Sequence, residues 1–443
     1  MTLQVSNSDP IAKSSPQQQR DNYLEALLST VQQQGTPALP LSELRTRAVA
    51  IAREHGFPSP RQEDWSFTDL TPMLLVPFAA ADAGAIAPPD LSLPELPEAA
   101  ARLVFVNGHY SEALSHVGTR PTGVVVGNLG ALYTGELKVK IDQRLGLSGN
   151  RHEMFAALNT AGFQDAALVW VPRHQTVDAP IHLVFVAIAG DRPVLSQPRC
   201  LVVAEPGSAL TLVEEFYGIG ESAHFSNSVS EIWVDEGAQV THTRVQQEGS
   251  GTFHIGKTAI TQGRDSTYHG TAISLGAHIA RHHWEMDQTG PQTETQLNGL
   301  SAIAGRQTAD THSLIALHHP HGTANQLHKC LVDDSAHSIF NGKIWVPRAA
   351  QLTNASQLNR NLLLSNKGRI DTKPELDIVA DNVKCAHGAT VSQLDASEIF
   401  YLQSRGISAD QAQRLLIYGF VMEILAKIPS TSLRDRLMPA VID

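Results

Sequence analysis

From Ala101 onward the chain breaks into short β-type runs, and nothing of helical period separates them. Runs at residues 103–106, 124–126, 167–171, 182–188 and 201–204 are followed by others at 209–213, 231–234, 239–245 and 258–261, with Gly, Asp, Asn and Pro between them. Strands with no helical crossovers do not wind into a doubly wound α/β sheet. Two of the turns are alike: Glu205-Pro206-Gly207-Ser208-Ala209 and Asp235-Glu236-Gly237-Ala238-Gln239 each lead into an alternating strand. Like turns at a fixed spacing mark stacked coils, so the sequence predicts a mainly β chain with a β-solenoid core over residues 101–392. A β-sandwich is the alternative, although about 290 residues is large for one.

Both ends have a different texture. Residues 1–20 are rich in Ser, Gln and Asp and are expected to be disordered. Helical spacing of Tyr23, Leu24, Leu27, Leu28 and Val31 predicts a helix over 22–34, and a second is expected over 42–55, stopped by Gly56 and Pro58. A Pro- and Ala-rich stretch at 73–99 reads as loop and linker, closing an N-terminal helical domain over 21–100. Beyond residue 392, Asp395 to Glu398 and Ser408 to Gln411 have capping-box form. Ala412, Leu415, Leu416, Gly419, Phe420 and Ile424 then make one apolar stripe, ended by Pro429. This C-terminal helical domain, 393–443, fits either a cap on the solenoid's end or a docking surface.

With 443 residues, two or three domains of roughly 100–200 residues are expected. A net charge of −11 argues against a nucleic-acid partner, which needs clustered Lys and Arg. No apolar run approaches the roughly 18 residues of a membrane span, and the polar start lacks a signal-peptide core. Three cysteines, Cys200, Cys330 and Cys385, are too few for a disulfide framework and read as reduced thiols, so a cytoplasmic location is expected.

Three segments carry candidate chemistry. Residues 251–258, GTFHIGKT, match the phosphate-binding loop letter for letter. That loop works only between a strand and a helix, whose N-terminus holds the phosphate. Here Thr258, Ile260 and Gln262 alternate with Ala259 and Thr261 up to Gly263, so no helix follows and a hairpin or solenoid turn is expected. The second segment is histidine-rich: His278, His282, His283, His318, His319, His321, His328 and His337, with Cys330 near. No compact metal-ligand spacing appears in it, and solvated or hydrogen-bonded histidines are the plain reading. The third is Lys384-Cys385-Ala386-His387-Gly388. On a strand, Cys385 and His387 share a face about 6–7 Å apart. Thiolate and imidazole both ligate iron in iron–sulfur centres, but two ligands cannot close a cluster. On spacing alone, a small buried thiol beside a hydrogen-bonded histidine is the favoured reading. Paired carboxylates, a nucleophile elbow and a dinucleotide fingerprint are all missing from the sequence.

Residues 381–391, DNVKCAHGATV, set that pair in a context that resembles the SufB/SufD family of iron–sulfur cluster assembly proteins. Asp395, Ile399-Phe400-Tyr401-Leu402 and Ser404-Arg405-Gly406 are also similar to the family, as are residues 337–338, 340–344 and 371–376. Residues 60–70, PRQEDWSFTDL, look like its N-terminal signature. Gly388 stands where SufB-like sequences tend to carry Glu, Cys385 precedes the histidine by two, and no cysteine-rich N-terminal segment is present, so the resemblance is to the SufD side.

The resemblance implies a right-handed parallel β-helix between helical N- and C-terminal domains. It also implies a scaffold subunit with no catalysis of its own, within a SufBCD-type complex. The partners would be a SufB-like paralogue at the solenoid's end and a SufC-like ATPase at the tail, where Leu415, Leu416 and Phe420 are the candidate contacts. ATP chemistry would then belong to the ATPase, with no nucleotide on this chain. Residue by residue, the family's functional cysteine and histidine map onto Cys385 and His387, candidate ligands for iron or a transient cluster shared with the partner. Self-pairing of the isolated chain is left open. A metal-dependent or carbohydrate-acting β-helix enzyme, of a usually secreted type, is the rival reading, and a P-loop ATPase a third.

Overall fold

The computed structural model describes residues 15–33, 39–81, 93–148 and 153–442. Two long sheets face each other across a shared interior, and the chain passes from one to the other at every half turn. One sheet runs in the order 369–378, 337–346, 308–316, 279–288, 252–262, 224–234, 199–204, and the other in the order 384–393, 354–363, 323–332, 294–303, 267–274, 239–247, 209–219, 176–188. Each of these neighbours is paired in parallel. The result is a β-solenoid of about 8 turns with helices at both termini. Parallel stacking rules out the sandwich.

The corner that makes each turn is visible in the backbone. Gly207 and Gly237 have φ of 68° and 64°, and the same left-handed conformation recurs at His174, Asp265, Gln292, His321 and Leu352. From each of these seven residues the amide N–H donates to a carbonyl one coil further on: Glu236, Arg264, Pro206, Pro291, Pro320, Gln351 and Asn382. One residue per coil is thus held at positive φ by the coil that follows it. In-register residues then stack in columns, as Val240, Tyr268, Thr295, Ala324, Ala355 and Cys385 do.

Two helical layers cover the outer faces. On the first sheet, Leu24, Leu27, Leu28, Ala52, Trp65 and Phe155 pack against Phe225, Phe253, Ile255 and Ile279. On the second, Ile417, Val421, Ile424, Leu425, Leu433 and Leu437 pack against Val245, Ile273, Leu300, Leu331 and Leu362. The signature at 60–70 straps the N-terminal layer down: Trp65 lies 4.0 Å from the Arg281 guanidinium, and the Thr68 hydroxyl donates to the Asp310 carboxylate at 2.5 Å.

Several expectations are corrected. Disorder over 1–20 fails from Pro16, where the helix Pro16–Gln32 starts; Ser15 caps it by accepting from the Gln18 N–H, and residues 1–14 lie outside the described residues. Gln and Ser carry no apolar period, so this first turn is hidden from a pattern search. The helix Ser42–His55 forms as expected. Of the 73–99 linker, residues 82–92 lie outside the described residues, while Thr71–Leu74 is a helical turn and Ala79–Ala80 pairs with the 194–196 strand. Between the strands at 125–128 and 167–171 stand helices Gly135–Asp142 and Met154–Gly162, absent from the sequence reading. The second is buried on nearly every side, so it has no polar stripe to reveal it.

In the tail, Ser408 and Gln411 complete a capping box, and Asp395 caps Ala396–Ser404 by accepting from the Ser397 N–H. The buried face of Ala409–Leu425 is Ala412, Ile417, Val421, Ile424 and Leu425, rotated from the stripe predicted, and it leaves Leu415 outside.

At Gly237 an added Cβ would meet nothing within 4 Å. Gly237→Ala therefore isolates the cost of positive φ, and urea unfolding is expected to show a loss of about 1–2 kcal/mol.

Candidate functional site

The two ends of the solenoid are finished differently. At the start, the edge strand Ala101–Val106 is closed by antiparallel partners at 109–110 and 116–117, and 125–128 lies antiparallel to 167–171. At the far end, among the described residues, Arg369–Ile378 pairs only with 337–346, and Lys384–Gln393 only with 354–363. Both terminal strands are 10 residues long and have one edge bare. None of their residues is buried. Apolar side chains stand exposed around them: Ile378, Val379, Val391 and Leu352.

Cys385 and His387 lie on this last coil. Cys385 is in register with Ala355 and His387 with Gln357, both buried, so the pair continues the inward-facing row. Any earlier coil would be covered by the next. Here no next coil exists, so Cys385 is half-buried against the core and His387 is exposed. The structure thus brings the two together on one face at the solenoid's mouth. Burial pushes the Cys385 thiol above its ordinary range, partly offset by a backbone hydrogen bond at Ala355. Among the described residues no group of three or more His, Cys, Asp or Glu is arranged to hold a metal. The pair supplies two ligands of suitable chemistry, and any completing ligands come from elsewhere.

The other candidates separate cleanly. Of the phosphate-loop pattern, only Gly251 lies in a turn, and residues 252–258 lie inside the strand Thr252–Gln262, so the expected turn is confined to the start of the pattern. Its Lys257 is buried with Glu285 at 2.6 Å and Glu153 at 3.2 Å. The next element is another strand, so no helix N-terminus is offered. The histidines disperse: His282 and His328 point into the core, while His318 and His337 face outward against Asp287 at 2.7 Å and Asp371 at 2.6 Å.

In the tail, the helix Ala396–Ser404 has no buried residue, and Phe400 is 72% and Tyr401 57% exposed. Leu415 and Tyr418 are exposed on the next helix. A groove of about 420 Å³ runs between the two, lined by Ser397, Glu398, Tyr401, Leu402, Leu415 and Leu416. Phe420 serves differently. It packs on the solenoid with the Lys329 ammonium 4.4 Å from its ring, and Lys329 also donates to the Phe420 carbonyl at 2.8 Å and pairs with Glu423 at 2.5 Å.

The sequence reading missed the polar interior. Cys200 is a buried thiol whose Sγ lies 3.0 Å from Glu214, which meets His242 at 2.9 Å, and His242 meets Tyr268 at 2.8 Å. Burial and the Glu214 charge push the Cys200 thiol far up. These residues lie on three successive coils, and only the register, which no local pattern encodes, brings them together.

Against known proteins, residues 186–420 match the family described as SUF system FeS cluster assembly, SufBD core domain, and residues 17–183 match the SufBD protein N-terminal region. The chain belongs to the SufB/SufD family. An iron–sulfur cluster assembly SufBD family protein of Synechocystis is 43% identical over 98% of each chain. Iron–sulfur cluster assembly protein SufD of Escherichia coli is 30% identical over 87% of this chain and 89% of its own. The chloroplastic protein ABCI7 of Arabidopsis thaliana is 33% identical over 93% and 88%. Membership ties the chain to iron–sulfur cluster assembly and agrees with a scaffold component of that system. No helix among the described residues is long and apolar enough to cross a membrane.

Cysteine labelling tests the exposed rung. Cys200 and Cys330 are buried, and Cys385 is not. In the native chain iodoacetamide is expected to modify Cys385 alone. The rate should be low at neutral pH and climb as pH rises toward the elevated thiol value, because the thiolate is the nucleophile. Peptide mass spectrometry reads the site and the pH profile.

Proposed function

We propose that this chain is the SufD-type scaffold subunit of a cluster-assembly complex, with no catalytic activity of its own. Its two terminal strands pair edge to edge with a SufB-like paralogue, and His387, with Cys385, offers ligands to iron or a nascent cluster at that seam. The carrying observation is the uncovered last coil: two bare 10-residue strand edges with a thiol and an imidazole on their inward row. Bare edges are a liability in a free chain and a template for another strand. A partner solenoid laid on them would satisfy the amides, cover Val379 and Val391, and remove water from around Cys385 and His387. Iron is cargo in this scheme. Cys385 holds its proton until metal arrives and releases it on ligation, as thiol ligands must.

The tail is proposed to receive a SufC-like ATPase. Support comes from the exposed Phe400, Tyr401, Leu415 and Tyr418 and from the groove that Leu416 helps to line. Phe420 would act behind that surface, fixing the helix to the solenoid. The strand-bound phosphate-loop pattern agrees with nucleotide chemistry residing on the partner.

The test is anaerobic reconstitution of the complex co-expressed with SufB-like and SufC-like partners. His387→Ala is expected to lower bound iron and sulfide and to alter the visible spectrum while the three subunits still copurify. Unchanged iron, sulfide and spectrum would remove the ligand role, and failure of the parent chain to copurify with either partner would remove the complex.

A further inference from the structure

Beneath His387 runs a short ladder of amide side chains. Gln326, Gln357 and His387 are in register on three successive coils of one sheet. Across the interior, Ser313 lies 2.8 Å from the Gln326 Nε2, and the Gln357 Nε2 donates to the Gln326 Oε1 at 2.8 Å. The amide of Gln357 is seated over Gly342 of the opposite sheet, where an added Cβ would lie 2.2 Å from its Nε2. The two arms of a carboxamide diverge. With Nε2 bound back to Gln326, Oε1 is left on the other side. That oxygen finds no hydrogen-bond partner among the described residues, although Gln357 is only 2% exposed. A buried acceptor left unsatisfied is costly to the folded state. The row's next member is His387, one strand spacing of about 4.8 Å further on, and it carries a ring N–H donor.

Neighbouring positions lack this arrangement. Cys385 stacks on Ala355, which has no polar group. Asn361 also has a buried oxygen without a partner, but its terminal neighbour is Val391, which has no side-chain donor.

We infer that Gln357 is the positioning residue for His387: once the exposed ring turns inward, the carboxamide oxygen accepts its N–H and leaves the other ring nitrogen facing out of the mouth for iron. This rests on the proposed ligand role of His387. The physical reason is general. A histidine ligand is oriented, and its tautomer fixed, by what its second nitrogen donates to. On an uncovered coil nothing else restrains the ring, so the underlying amide decides which nitrogen is presented.

Two substitutions separate positioning from packing. Gln357→Leu and Gln357→Glu both lose the hydrogen bond to Gln326, but only Glu keeps an oxygen beneath His387. In the full-length chain labelled with [15N]histidine, with His387→Gln to assign the signal, the parent should hold His387 in one neutral tautomer. Gln357→Leu should give a mixture, and Gln357→Glu should restore the single form. In the co-expressed complex, ferrous iron affinity measured by chelator competition should fall about 10–100-fold for Gln357→Leu and be retained by Gln357→Glu.

An unchanged tautomer in Gln357→Leu would overturn the inference, and so would an equal loss of affinity in both variants. Should Gln357→Leu bind iron as the parent does while His387→Ala does not, the positioning role falls and the ligand reading stands. Should His387→Ala keep full affinity, the ligand reading falls and takes this role in iron binding with it.

Discussion

A parallel strand satisfies its backbone only if it has a neighbour on each side. Every coil from residue 209 to residue 363 has both, and the last has one. That unfinished hydrogen-bond ladder governs the rest of the architecture. At the N-terminal end the outer strands are short antiparallel pieces of two to four residues, so the two 10-residue edges left bare among the described residues are at the other end. Cys385 and His387 owe their exposure to this alone: their positions are inward by register, and the same row is buried one coil earlier at Ala355 and Gln357.

The tail helices connect to that end without covering it. Glu423 pairs with Lys329 on the 323–332 strand and lies 3.5 Å from Arg360 on the 354–363 strand, the direct neighbour of the terminal strand. Lys329 is almost wholly buried, so its ammonium depends on Glu423 and the Phe420 carbonyl for compensation. The helix that presents Leu415 and Tyr418 is therefore fastened within one coil of Cys385 and His387. Of the two roles the sequence allowed the tail, a cap on the solenoid's open end is not what the structure has: helices Ala409–Leu425 and Thr431–Ile442 lie along the outer face of one sheet.

How much could be read in advance follows from how each feature is written. The corner of the coil was legible at Gly207 and Gly237 because glycine advertises positive φ. The same corner at His174, Asp265, Gln292, His321 and Leu352 uses residues that do not, so five of its seven copies were silent. Met154–Gly162 was silent for the opposite reason, being apolar all round. The Cys385 and His387 pair was readable because it is local, two residues apart on a strand. Gln357, thirty residues before His387, became visible only with the register, as did the contact of Cys200 with Glu214. Local chemistry survives in sequence, and chemistry between coils needs the stack.

Hydrogen exchange on the two terminal strands tests the account most directly. Amides of residues 369–378 and 384–393 should be compared in the isolated chain and in the complex with a SufB-like partner. Slowed exchange confined to these strands in the complex is the predicted result. Equal exchange in both states, with protection appearing elsewhere on the chain, would contradict the claim that the unfinished ladder is where this protein is completed.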